Sequence, residues 1–294
     1  MSTKKETLLV TGASGNLGGL VLEWLLQNYE GSVIATTRHP EKLSDLADRG
    51  VIVRKADFNQ PESLEKAFTG ASRMLLISTD TIDVPDIRLA QQTHAVQAAA
   101  KAGVKHIVYT SFFNPEPGTA NITAADHLAT EQAIKDSGLT YTILRNNLYG
   151  ENLAQAVVPA AERGQYASAI GEGKISYVTR QDCALAAASA LASSNTENRL
   201  LKITGPESLS GQDIAKLLSE VAGKPVVYVP LNNAQLVGMY ESFNMPKPIA
   251  EALASFDAAS AKGEYEEISE DFHMLTGKAP TSMKQFLYSF MTSS

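Results

Sequence analysis

The segment Val10 to Gly19 reads Val-Thr-Gly-Ala-Ser-Gly-Asn-Leu-Gly-Gly, and it restricts the fold more than any other stretch of the chain. An apolar run, Leu8-Leu9-Val10, precedes it and reads as a buried strand. An amphipathic stretch from Leu17 to Gln27 follows and reads as a helix. Gly12, Gly15 and Gly18 stand at three-residue spacing, G-x-x-G-x-x-G rather than the commoner G-x-G-x-x-G. Strand, glycine turn and helix in that order form the context of a dinucleotide fingerprint. Glycines let the backbone approach a pyrophosphate, and a helix N-terminus offers unpaired N–H groups and partial positive charge. A glycine triplet alone also fits an ordinary turn; its flanking elements favour the nucleotide reading. The turn residues Gly12, Ala13, Ser14, Gly15, Asn16 and Leu17 are the first candidate contacts.

The first half continues the alternation. Strand signals at Val33 to Thr37, Val51 to Arg54, Met74 to Ile77, His106 to Thr110 and Thr140 to Leu144 alternate with helical stretches. Those helices run over Pro40 to Asp48, Pro61 to Phe68, Ile87 to Ala102 and Ala124 to Lys135. Repeated βα units with short connections predict an α/β fold, a Rossmann-type doubly wound parallel sheet. After Arg145 helical signals dominate: Asn152 to Glu162, Gln181 to Ala192 and Gln212 to Val221, with short strands at Leu200 to Ile203 and Val226 to Val229. Ser210 followed by Asp213 resembles a capping box. The expected division is a nucleotide domain over residues 1–147 and a smaller, mainly helical substrate domain over 148–294, with a boundary open to interleaving.

At 294 residues the length suits about two domains. The net charge of −7 argues against a broad nucleic-acid footprint. One cysteine, Cys183, cannot form an internal disulfide, which fits a reducing cytoplasm, and its apolar surroundings read as core. Met1 to Glu6 leads straight into a strand with no apolar secretion signal, and no segment approaches the ~18 apolar residues of a membrane span.

Ligands of such sheets bind outside the carboxyl ends of the strands. Twenty positions after Gly18, where an acidic residue would hold the ribose of NAD, stands Arg38 at the end of the second strand. A guanidinium suits a 2′-phosphate, so NADPH is favoured over NADH; a surface arginine in a loop is the alternative. Asp57 ends the third strand and is a candidate acceptor for the adenine amino group, or a turn cap. Ser78 and Thr79 end the fourth strand, Ser111 and Phe112 the fifth, and Asn146 the sixth.

Taken together, these residues resemble the NmrA-like branch of the atypical short-chain dehydrogenase/reductase superfamily. The resemblance rests on Thr-Gly-Ala-Ser-Gly-Asn-Leu-Gly (11–18), Asp-Phe-Asn-Gln-Pro-Glu-Ser-Leu (57–64), Leu-Leu-Ile-Ser (75–78), Ala-Gly-Val-Lys-His-Ile-Val-Tyr-Thr-Ser (102–111), Tyr-Thr-Ile-Leu-Arg-Asn (141–146) and Val-Thr-Arg (178–180). Within the branch the chain is similar to bacterial type 2 NAD(P)H:quinone oxidoreductases and triphenylmethane-dye reductases. The resemblance implies NADPH on Gly12 to Leu17, Arg38, Ser78, Thr79 and the Arg145 to Tyr149 segment, a substrate cleft between two domains, and direct hydride transfer to a quinone or similar acceptor.

The better-known short-chain dehydrogenases carry Tyr-x-x-x-Lys on the helix after the fifth strand. Here that helix has His127 and Glu131, four apart and on one face. The departure fits an acceptor that takes hydride without a strong general acid. His127 is either a proton donor or, with Glu131, a polar pair that positions the helix. Tyr149 is a candidate beside the nicotinamide, and Asn152 a candidate in the substrate cleft. Phe112 and Phe113 are candidates for stacking on a flat ring, with inter-domain packing as the alternative for both and the favoured one for Phe113. His94, inside a helical stretch, reads as structural; His39, His106 and His273 show no partner at metal-ligand spacing, and with a single cysteine no metal is expected. The leading expectation is therefore an NADPH-dependent oxidoreductase. The alternatives are a non-catalytic NADP-sensing regulator and a reductase of dyes or of C=C or C=N bonds. A homodimer is compatible with the sequence, which does not specify an oligomeric state.

Overall fold

The computed structural model describes residues 5–79 and 87–293. Met1 to Lys4, on which the reading of the extreme N-terminus partly rests, lie outside the described residues. The strands in chain order are β1 (Leu8–Val10), β2 (Val33–Thr37), β3 (Ile52–Lys55), β4 (Arg73–Leu76), β5 (His106–Phe112), β6 (Thr140–Asn146), β7 (Gln165–Ser168), β8 (Lys174–Ile175), β9 (Arg199–Ile203), β10 (Leu209–Ser210) and β11 (Val227–Pro230). The α-helices are α1 (Asn16–Asn28), α2 (Ser44–Asp48), α3 (Pro61–Phe68), α4 (Ile87–Lys101), α5 (Ala125–Asp136), α6 (Gly150–Ala154), α7 (Val157–Arg163), α8 (Arg180–Ala192), α9 (Gly211–Ala222), α10 (Asn233–Ser242), α11 (Lys247–Ala261), α12 (Asp271–Thr276) and α13 (Met283–Ser293).

A seven-stranded sheet has the order β3-β2-β1-β4-β5-β6-β9. The pairs β1–β2, β1–β4, β2–β3 and β4–β5 are all parallel, with Leu9 facing Ile34 on one side and Met74 on the other. The first six strands follow the doubly wound order, and the direction of winding reverses beside β1. Every residue of β1, β2 and β4 is buried, as a central parallel sheet requires when helices cover both faces.

The chain divides into two interleaved units. The first takes in the described residues of Met1–Ser111, Asp126–Arg145 and Cys183–Leu201. The sequence suggests a division near 147 that is open to interleaving, and most of α8 and the start of β9 group with the first unit. Arg73, at the start of β4, gives the physical reason. Its side chain is only 2% exposed, and its guanidinium donates to the carbonyls of Leu191 (2.9 Å), Ala190 (3.2 Å) and Asn195 (3.0 Å). These are the unpaired acceptors at and just beyond the C-terminus of α8, where positive charge is favoured. Beside this anchor, the core of the unit gathers Leu9, Ile34, Leu64, Phe68, Met74, Ile107 and Ile143. Each such side chain contributes roughly 1.5–3 kcal/mol through burial.

The second unit comprises the described residues of Phe112–Ala125, Asn146–Asp182 and Lys202–Ser294. Its core includes Phe113, Leu153, Val157, Ile170, Ile214, Leu218, Tyr265 and Leu287. Two small sheets support it, β11 with β7 in parallel and β10 with β8 antiparallel. Strands β7 and β8 carry no signal that the sequence reading used. The stretch read as one helix over Asn152 to Glu162 is two, α6 and α7. Pro159 explains the break: in a continuous helix its ring would clash with the carbonyl of Gln155, four residues earlier. The Ser210–Asp213 capping box forms in full, with hydrogen bonds in both directions. Among the described residues, no helix is long and apolar enough to cross a membrane.

Candidate functional site

A cavity of about 410 Å³ lies at the carboxyl ends of the first unit's strands. That volume is in the range of small-molecule and cofactor sites. Gly12 opens the turn at φ +59°, a left-handed conformation that glycine adopts without strain. The N–H of Gly15 then donates to the carbonyl of Gly12 at 3.0 Å. At Gly18 a Cβ would stand 2.4 Å from that same carbonyl oxygen, so only glycine lets α1 start this close to the turn. The N-cap of α1 is Gly15, with no side chain on the first-turn N–H groups. These groups therefore remain available to an anion.

The walls are fixed by hydrogen bonds between neighbouring strand ends. Ala13 N–H donates to Thr36 (3.1 Å), and Ile77 N–H donates to the Thr11 hydroxyl (3.0 Å). Ser14 and Thr37 share a hydroxyl–hydroxyl bond at 2.9 Å. Ser78 N–H donates to Thr110 Oγ1 at 2.9 Å. Arg38 lies exposed on the lining directly after β2, and among the described residues its guanidinium has no hydrogen-bonding or charged partner. The nearest acid in sequence, Glu41, is paired instead with His39 at 3.1 Å.

The cavity brings together Gly12, Ser14, Gly15, Asn16, Leu17, Arg38, Asp57, Ser78 and Thr79 from the sequence reading. Ala13 lies behind the turn, 1% exposed. Ser111, Phe112, Asn146 and Tyr149 are not among its lining residues. Asn146 is buried with both side-chain polar atoms lacking a partner among the described residues. Tyr149 carries the Arg180 guanidinium over its ring at 5.3 Å. Phe112 sits edge-on to Phe256 and Tyr265. Phe113 is fully buried in the second unit's core, and Asn152 is exposed in α6. The lining also holds Ile77, Phe58, Asn59 and Gln91, which the sequence reading did not single out. Phe58 and Asn59 follow Asp57 directly, so the rule used for strand ends would have reached them. Gln91 lies inside a helix, where no spacing rule points to it.

His127 and Glu131 are not among the cavity's lining residues, and each is committed to partners of its own. His127 is 5% exposed on α5. The Arg88 guanidinium lies 2.7 Å from its Nε2 and, having only donors, makes that nitrogen the acceptor. The ring proton is therefore on Nδ1, which donates to the Tyr109 hydroxyl at 3.0 Å. Tyr109 passes its own proton to Gln92 Oε1 (3.0 Å), and Gln92 donates to Thr130 (3.2 Å). Burial, with the Arg88 charge adding to it, pushes the His127 imidazole well below its ordinary range, so it is neutral. Glu131 is fully buried and holds Arg145 through both oxygens, at 2.9 and 2.8 Å, while Ser111 donates to it at 2.6 Å.

Against this geometry the relatives can be set. The NmrA-like family matches residues 4–287. Quinone oxidoreductase 2 of Escherichia coli is 33% identical over 279 residues, covering 95% of this chain and 96% of that protein. An NAD(P)H azoreductase of Xenophilus azovorans is 28% identical over 95% of this chain and 96% of its own length. The crystal structure of the Escherichia coli NADPH-dependent quinone oxidoreductase with NADPH superimposes with a TM-score of 0.92, at 32% identity over 97% of this chain and 99% of that one. Triphenylmethane reductase of Citrobacter, complexed with NADP(H), gives 0.89 at 39% identity over 96% and 99%. Family match, sequence identity and fold agree, and the chain belongs to the NmrA-like family.

Proposed function

We propose that the protein is an NADPH-dependent oxidoreductase that passes hydride directly to a quinone or a similarly flat, electron-poor acceptor. The observation that carries this reading is a cavity walled by the glycine turn and the strand ends, with an uncommitted guanidinium, Arg38, where a ribose-binding carboxylate would otherwise stand. The residues fit the cofactor: the glycine turn leaves the first N–H groups of α1 open to a pyrophosphate, and Arg38 suits a 2′-phosphate. Two buried polar atoms of the lining, Thr79 Oγ1 and Gln91 Oε1, lack a partner among the described residues. When bound, NADPH supplies the hydride.

The chain's own part is to hold, orient and shield. The turn and Arg38 fix the two phosphate-bearing parts of the cofactor. His127, neutral and held at both nitrogens, leaves protonation of the reduced acceptor to solvent. Quinones fit this, because their reduced form is a stabilised phenolate that needs no strong acid at the moment of transfer. The named activities of the two curated relatives and of the triphenylmethane reductase support the same acceptor class, and azo and cationic dyes belong to it.

Stopped-flow mixing of NADPH-loaded protein with a panel of quinones and dyes tests the reading. It expects loss of nicotinamide absorbance well above the buffer rate for at least one acceptor. No oxidation with any acceptor would leave the NADP-sensing regulator as the better account.

A further inference from the structure

The cofactor fit assigns a place to each phosphate but leaves the base unread. The glycine turn marks the pyrophosphate end of the cavity, and Arg38 marks the adenosine ribose. The base must then lie beyond Arg38, where the loop after β3 (Ala56, Asp57, Phe58, Asn59) and α4 form the wall. Gln91 projects there from the second turn of α4, only 7% exposed. Its Nε2 donates to Asn59 Oδ1 at 3.0 Å, and its Oε1 is buried with no donor among the described residues. Asp57, a carboxylate at the same end, accepts the N–H of Asn59 through Oδ1 at 3.0 Å.

An amide held by its nitrogen presents its oxygen in a fixed direction. A buried acceptor without a donor is costly, so such an atom marks where a ligand donor belongs. Among purine edges, adenine offers an exocyclic amino group, whereas hypoxanthine and guanine offer a carbonyl at the same carbon. We infer that Gln91, braced by Asn59, reads the exocyclic amino group of the cofactor's adenine and rejects 6-oxopurines at that position. This rests on the dinucleotide reading above and goes beyond it by naming the atom that reads the base.

Equilibrium titration of the intact protein with NADPH and with reduced nicotinamide hypoxanthine dinucleotide phosphate provides the test. The two ligands differ only at that carbon and the adjacent ring nitrogen. The wild-type protein is expected to bind NADPH at least about tenfold more tightly, as loss of one buried polar pair implies. Gln91→Leu, close in volume, should weaken NADPH by a similar factor and leave the hypoxanthine analogue nearly unchanged. Gln91→Glu keeps an acceptor atom and, with the Asn59 amide turned so that its nitrogen donates to the carboxylate, should retain the preference for adenine, which separates base reading from loss of fold.

Equal wild-type affinities, or a preference that survives in Gln91→Leu, would overturn the inference while leaving the dinucleotide reading intact. A preference for hypoxanthine would also overturn it, by putting the amide nitrogen in the cavity. If neither dinucleotide binds, the dinucleotide reading falls and this inference falls with it.

Discussion

Arg88 donates to Nε2 of His127 at 2.7 Å, and this one bond decides what the histidine can do. A guanidinium on the lone pair leaves no site for a second ring proton, and a charge beside the ring opposes one. His127→Gln is therefore expected to keep quinone reduction within a few-fold of wild type, with no new limb in the kcat profile between pH 6 and 8. Its cost falls on stability, about 1–3 kcal/mol from a disturbed buried network, read by chemical denaturation. A hundredfold fall in kcat without loss of fold would instead make the ring a participant in the chemistry.

Arg38→Ala separates the two cofactors. It removes the guanidinium from the cavity edge and leaves the glycine turn untouched. NADPH affinity is expected to drop by on the order of tenfold or more, the size of a lost charged hydrogen bond, while NADH affinity barely changes. Parallel titrations check this, and equal losses would show that Arg38 does not face the 2′-phosphate.

Gly18→Ala puts a Cβ 2.4 Å from the Gly12 carbonyl oxygen and 2.9 Å from the Ala13 Cα, both backbone atoms that cannot swing aside. The turn must open or α1 must move. Stability is expected to fall by about 1–3 kcal/mol, with dinucleotide binding severely weakened. Gly19→Ala is the control, because nothing lies within 4 Å of the added carbon.

Glu131 and Arg145 form a buried pair, 0% and 7% exposed at the side chain. Glu131→Gln removes the carboxylate that pairs with the Arg145 guanidinium, at an expected cost of about 3–5 kcal/mol by urea unfolding. The double replacement Glu131→Leu with Arg145→Met should recover much of that loss, because both desolvated charges go together.

His106 gives the protein an acid-sensitive stability. It is fully buried between the hydroxyls of Thr140 (2.8 Å) and Thr142 (3.0 Å), and burial, aided by the charges of Arg73 and Arg199, pushes its pKa down to about 4. The unfolded chain takes up this proton at about pH 6.5, well before the folded protein does. Stability should therefore fall as pH drops from about 6.5 towards 4, by up to about 3 kcal/mol from this group alone. His127, shifted in the same direction, adds to the slope. Unfolding midpoints across that range should show a flatter dependence in His106→Asn.

Elements made by local periodicity were legible in the sequence. The glycine turn, the first six strands and the helices between them depend on nearest neighbours and on whole-face burial, which leave regular patterns. The Ser210–Asp213 cap was visible because its partners are three residues apart. Strands β7 and β8 were not, because their pairing depends on β11 and β10, distant in sequence.

By itself, the sequence determined the βαβ start, the glycine cradle and the basic residue placed after β2, because each is a matter of local spacing. Only the tertiary structure decided the partners. Arg73 on β4 reaches the carbonyls at the end of α8, more than a hundred residues away, and so returns that helix to the first unit. Arg88 takes the lone pair of His127. Gln91, an ordinary helical glutamine in sequence, has one amide atom tied to Asn59 and the other buried without a partner among the described residues. Such choices depend on which polar groups meet when water is excluded, and that is settled only when the elements come together.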